Sequence, residues 1–201
     1  MSDSVIIYEW FANFVTEKPN KRKKYVNKII NKEPYAFKKD YYSVLRIKLI
    51  STIKKNKSLI ELNQMLKKIN PKKHNHYEVL IDQIQNFMQG VKYIWVEPPK
   101  NIIEYSGLQL KVNPEIGINI NGETLFIKMY FKQDQIENEK VNVMLKIMQD
   151  SIKEDYQNAK VAILDVRRCE LHKKDINEEI IIPYNLDQEA RVWQRYVEED
   201  N

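Results

Sequence analysis

The chain has 201 residues, 43% hydrophobic and 30% charged, the make-up of a folded protein with one substantial core or two small ones. No apolar run approaches the ~20 residues that cross a bilayer, the opening MSDSVIIYEWFANF lacks a basic region and a small-residue cleavage site, and the single cysteine, Cys169, excludes an internal disulfide. The net charge of +5 is uneven: residues 1–100 hold 20 of the 33 Lys/Arg and 9 of the 28 Asp/Glu, so the first half is basic and the second acidic.

From these features a cytoplasmic protein with no membrane association is expected. The first ninety residues read as a basic helical region. Ile6, Trp10 and Phe14 lie four apart on one helix face. A loop over EKPNKRKK precedes a short helix carrying Tyr25, Val26, Ile29 and Ile30, which ends before Pro34. Asp40 is the expected N-cap of a helix with Tyr42, Leu45, Leu49 and Ile53 in one stripe. Ser58 and Glu61 have the spacing of a capping box. Tyr77, Leu80, Ile81, Ile84 and Met88 then form a last stripe, which Gly90 ends as a C′ glycine would. His74 and His76 fall in the preceding loop without nearby cysteines, which disfavours zinc.

From residue 91 the period changes. VKYIWV reads as a strand and EPPKN as a breaker. LQLKVNPEIGINI and TLFIKMYF read as two strands joined by Asn121-Gly122, a strong two-residue hairpin signal. EKVNVMLKIMQDSIKEDY is helical, KVAILDVRRCEL a further strand, EEIIIPY a short one and DQEARVWQRYVEED a closing helix. The expected fold class is α+β or α/β: a basic helical region over residues 1–90, then a mixed-sheet domain over residues 91–201 with a β-hairpin and packing helices.

With a two-residue turn, opposed hairpin positions sum to 243. Ile116 then faces Ile127, and Glu115 faces Lys128. Alternation places Ile116, Ile118, Ile120, Leu125, Ile127, Met129 and Phe131 on an apolar face. Lys111, Asn113, Glu115, Lys128, Tyr130 and Lys132 share the other, as does Phe126. A cross-strand Glu–Lys pair stabilises a sheet by ~0.2–1 kcal/mol, so the residues leave open whether this is a site or a structural pair. Asp165 and Arg167, two apart at the end of an apolar strand, are a second candidate pair, because ligand sites in α/β sheets lie near such ends.

Pro114-Glu115 at one strand start, with Lys128 on the next strand, resembles the PD-(D/E)XK nuclease fold over roughly residues 75 to 170. That resemblance implies a metal-dependent nuclease site in which Glu115, Lys128 and Asp165 are catalytic and Glu115 and Asp165 hold Mg2+. The chain departs from the pattern at Phe126, where the second acid should precede the lysine; Glu78, Asp82 and Asp165 are the candidates to replace it. The chain also resembles an uncharacterised bacterial protein family with NPELGL…NG…IKLYFK and LDVRRGKL segments. The matching residues are Asn113-Pro114-Glu115, Asn121-Gly122, Ile127 to Lys132, Leu164 to Arg168, and Asp40-Tyr41-Tyr42 with Leu45-Arg46.

Basic runs with interleaved tyrosines (Tyr25, Tyr35, Tyr41, Tyr42, Tyr77) suit a nucleic-acid backbone and its bases. The expected contacts are Lys21, Arg22, Lys23, Lys24, Arg46, Lys72, Lys73, Lys132 and Arg167. There is no glycine-rich phosphate loop, G-x-S-x-G elbow or H-E-x-x-H. Three readings follow: a nucleic-acid-binding protein on a nuclease-like domain without robust cleavage, an active Mg2+-dependent nuclease with a displaced carboxylate, and a protein-interaction subunit of a bacterial multi-protein system.

Overall fold

The computed structural model describes residues 5–31, 40–153 and 156–200; the readings at Pro34 and Tyr35 lie outside the described residues. The first elements are β1 (Ile6–Ile7), α1 (Tyr8–Val15), α2 (Pro19–Ile30), α3 (Ser43–Lys54), α4 (Glu61–Leu66) and α5 (Pro71–Met88). Next come β2 (Ile94–Trp95), β3 (Asn101–Tyr105), β4 (Leu108–Val112), β5 (Ile116–Ile120) and β6 (Glu123–Tyr130). The chain closes with α6 (Asn138–Ile152), β7 (Ala159–Asp165), β8 (Glu170–Asp175) and α7 (Leu186–Glu198). This is a mixed α+β protein with two mixed sheets. One has the order β1-β4-β3, with β1 parallel to β4; the other has the order β2-β5-β6-β7-β8, with β6 parallel to β7.

The hairpin forms in the expected register. Asn121 and Gly122 take φ of 52° and 90°, the paired left-handed positions of a type I′ turn. Asn119 Oδ1 accepts the Gly122 N–H at 3.0 Å. Ile116 pairs with Ile127 and Ile118 with Leu125. Gly117 is required for a different reason: a Cβ there would lie 2.1 Å from the Val96 carbonyl oxygen, which accepts no such approach from backbone.

Each face of the five-stranded sheet carries its own core. Ile116, Ile118, Leu125, Ile127, Met129 and Phe131 pack under α3, α4 and α5. On the opposite face Phe126, Val161 and Ile163 meet α1, α6 and α7. Residues from both sides of position 90 enter both cores. Trp193 of α7 anchors the second core, edge-on to Phe14 with ring centroids 5.2 Å apart.

Several local expectations change. The loop over EKPNKRKK is mostly helix, because Pro19 sits in the first turn of α2, where its missing N–H costs nothing and its φ suits a helix. Helix α5 likewise starts at Pro71, capped by Asn70, whose side chain accepts the Lys72 N–H. His74 and His76 are therefore helical. Ser58 makes no capping box: its hydroxyl accepts the Ile60 N–H. LQLKVNPEIGINI is two strands in two sheets, broken at Asn113-Pro114, since proline cannot donate to a ladder. Lys111 consequently pairs with Ile102 and Ile7 instead of facing Lys132. KVAILDVRRCEL divides into β7 and β8 around a turn at Val166–Cys169, with Cys169 at φ 53°. EEIIIPY forms no strand, although Ile180 is buried.

Candidate functional site

The charged residues that the hairpin register brings together lie at the end of the sheet where β6 and β7 finish and β5 begins. Glu115 N–H donates to the Ile127 carbonyl at 2.9 Å, which extends the ladder by one residue and places Glu115 opposite Lys128. Lys128 Nζ lies 2.9 Å from Glu115 Oε1. It also lies 2.6 Å from Oε1 of Glu9 on α1. Lys128 is 7% exposed, so the face expected to be polar is covered here by α1. Burial alone would push its ammonium down; the charges and hydrogen bonds of Glu115 and Glu9 outweigh that and hold it above the usual lysine range.

Glu115 is held on every side. Its Oε2 accepts the Met129 N–H at 2.9 Å, and Arg46 Nε stands 3.6 Å from Oε1. Arg46 in turn pairs with Asp40 at 2.7 Å and lies over the Phe131 ring. An ionic chain therefore runs from Glu9 through Lys128, Glu115 and Arg46 to Asp40. Asp40 accepts the Tyr42 N–H ahead of α3, a turn contact in place of the expected N-cap. Lys128 lies over the Tyr8 ring at 5.8 Å, and Tyr8 Oη and Glu9 Oε2 are buried with no hydrogen-bond partner among the described residues. Burial and the neighbouring Glu9 and Glu115 charges push the Tyr8 hydroxyl well above its ordinary pKa. It is therefore a neutral donor at any physiological pH.

Phe126, which stands where a second acid would complete the PD-(D/E)XK pattern, is fully buried and edge-on to Tyr156 at 4.7 Å. Asp165 pairs in register with Tyr130, two positions along the ladder from the Glu115–Lys128 level. It is 0% exposed, and its cation is Arg168, at 3.1 Å. Arg167 does not share its surroundings, because β7 ends at Asp165 and the chain turns. Arg167 Nε donates to the Phe131 carbonyl, and its Nη2 lies 3.5 Å from His76 Nδ1 on α5. Glu78 and Asp82 are exposed on α5, and His74 is the partner near Glu78.

Among the described residues no three His, Cys, Asp or Glu groups come together to hold a metal ion. Glu115 and Asp165, the ligands the resemblance implies, are engaged by Lys128, the Met129 N–H and Arg168. That donor set does not fit a divalent cation in this arrangement.

Around this centre lies a band of cations and aromatic rings. Lys73 stands over the Tyr41 ring at 4.5 Å and donates to the Tyr41 carbonyl. Tyr41 meets Tyr42, His76 and Tyr77 edge-on, and Tyr42 stacks on Phe131. Lys72 is exposed on the first turn of α5. Lys132 is exposed just beyond β6, and Lys140 of α6 lies over the Tyr130 ring at 5.2 Å.

The basic run of α2 has another role at two of its four positions. Arg22 pairs with Glu189 at 2.8 Å and donates to the Val15 and Glu17 carbonyls. Lys23 pairs with Glu199. These side chains tie α2 to α7. Lys21 and Lys24 are exposed.

Glu9, Tyr8 and Lys140 were not legible as site residues. Glu9 and Tyr8 lie in an amphipathic helix, and Lys140 opens another; their meeting with β6 is a long-range event with no local spacing signal. Asp165–Arg168 sits within LDVRR, and the strand end at Asp165 is the signal that could have separated Arg168 from Arg167.

No family model and no curated relative matches the chain. The crystal structure of SSO0001 aligns with it at a TM-score of 0.34 and 12% sequence identity, over 78% of this chain and 71% of that one.

Proposed function

We propose that the chain is a nucleic-acid-binding protein built on a nuclease-like α/β domain, with the polyanion lying across the strand-end face and no robust cleavage. The observation that carries this reading is the band of Lys73, Arg167, Lys132 and Lys140 with Tyr41 and His76 around the ends of β6 and β7. Cations of this kind bind phosphates, and tyrosine rings stack on bases without sequence preference. The PD-(D/E)XK resemblance belongs to the same reading, with Glu115 at a strand start opposite Lys128. Because Glu115 and Asp165 already hold cations, they organise the site without Mg2+.

The test is fluorescence anisotropy with labelled single- and double-stranded DNA and RNA over a salt series. The expected result is affinity that falls steeply as salt rises, with Lys73→Gln and Arg167→Gln both weakening it. Affinity insensitive to salt would reject the proposal. Metal-dependent cleavage that Glu115→Ala and Lys128→Ala abolish would instead establish the active nuclease.

A second reading, a protein-interaction subunit, is favoured by Val44 and Ile47. These lie one turn apart on α3 and are 45% and 51% exposed. A defined protein co-purifying without nucleic acid, and lost on Ile47→Glu, would support it.

A further inference from the structure

Lys128 is balanced by two carboxylates in contact with it, whereas the next two cations along the same face have no ion pair among the described residues. Lys128, Tyr130 and Lys132 follow one another at two-residue spacing along β6 and its continuation. Lys140, from the first turn of α6, lies over the Tyr130 ring between them. Among the described residues, neither Lys132 nor Lys140 has an ion pair.

Burial, together with the nearby charge of Lys132, lowers Lys140 to about 8; Glu9 and Glu137 act the other way without overcoming it. Half-burying an ammonium beside a second ammonium is unfavourable. An anion between the two removes the repulsion and restores the lost solvation.

We propose that Lys132 and Lys140 form a phosphate-binding subsite over the Tyr130 ring, at the solvent end of the row whose buried end is Lys128. The inference rests on the polyanion reading of the same face and names where one phosphate of that polyanion sits. The phosphate is either a backbone diester or a terminal monoester, and the two have the same recognition chemistry. Tyr130 forms the floor, Lys140 is the inner cation, and Lys132 is the outer one through which the anion enters.

Two measurements on the full chain test the subsite. In the first, 3′-labelled single-stranded oligonucleotides with either a 5′-phosphate or a 5′-hydroxyl are titrated over a salt series. Lys132→Gln and Lys140→Gln are each expected to flatten the log affinity–log salt slope by about 0.7, while Lys140→Arg retains it. Tighter binding of the 5′-phosphorylated strand, lost in both Gln variants, assigns the subsite to a terminal monoester. Equal binding of the two strands assigns it to the backbone. In the second, inorganic phosphate is added while the Lys140 side-chain NMR signal is followed, and the Lys140 titration midpoint is expected to rise.

An oligonucleotide that binds with unchanged slope in both Gln variants, with a Lys140 signal that phosphate leaves unmoved, overturns the subsite and leaves the polyanion reading standing. A Lys140 midpoint raised by phosphate, in a protein that binds no oligonucleotide, upholds the subsite and rejects that reading.

Discussion

Lys128 Nζ lies 2.6 Å from Glu9 Oε1, joining the first helix to the central strand of the five-stranded sheet across more than half the chain. Glu115 meets the same ammonium from the neighbouring strand at 2.9 Å. One buried cation therefore holds two carboxylates whose like charges would otherwise face each other in a desolvated place.

Removing that cation should cost more than removing one of its partners. Lys128→Ala takes the cation from Glu9 and leaves Glu115 only Arg46 at 3.6 Å, and is expected to lower stability by about 3–5 kcal/mol. Glu9→Gln leaves the Glu115 pair intact and should cost roughly 1–3 kcal/mol. Urea unfolding of both variants measures the difference, and a larger loss in Glu9→Gln would contradict the arrangement.

Lys140 makes a prediction in pH. Its folded-state pKa, about 8, lies below the 10.5 of an unperturbed lysine. Between those values the unfolded chain binds more protons than the folded one, so this group makes stability rise as pH increases through that window. Below pH 8 its penalty is present in full. Lys140→Met should therefore raise Tm at pH 7, and the gain should shrink as pH approaches 10. A variant no more stable than the parent at pH 7 would show that the charge on Lys140 carries no such penalty.

Arg22 separates the two uses of the basic residues. Its guanidinium is engaged by Glu189 and two backbone carbonyls, so Arg22→Ala should cost about 2–3 kcal/mol through lost charge-assisted hydrogen bonds. The salt dependence of nucleic-acid affinity should stay as it is. A flatter slope with unchanged unfolding would make Arg22 a phosphate contact instead.

Gly117 tests the packing of β2 on β5. A Cβ would lie 2.1 Å from the Val96 carbonyl oxygen and 3.2 Å from the Phe126 ring. Because the nearest obstacle is backbone, Gly117→Ala should cost about 1–3 kcal/mol or more and change the fluorescence of Trp95, which pairs with Ile118. Unchanged Tm and emission would mean that the strands part easily.

Ligand linkage offers a check on the metal question. With Glu115 and Asp165 held by Lys128 and Arg168, millimolar Mg2+ should leave Tm where it is, because an ion that does not bind the native state cannot stabilise it. A rise in Tm that Glu115→Gln abolishes would show the ion displacing the ammonium.

The sequence by itself determined the features whose physics is local. Asn121-Gly122 specified a type I′ turn, and the turn set a register in which Glu115 stands opposite Lys128. Apolar stripes marked most of the helices because one face of each had to be buried. Short strands such as β1 and β3 escaped that reading, since they are defined by partners far along the chain. Only the tertiary structure decided which surfaces are covered. Burial under α1 turned the polar face into an ionic chain, and the docking of α2 on α7 converted Arg22 and Lys23 from expected phosphate contacts into ion pairs. The approach of α6 left Lys140 half-buried over Tyr130 and, among the described residues, without an ion pair. The reason is that a charge's role depends on its solvation and its nearest opposite charge, and packing supplies both from residues remote in sequence.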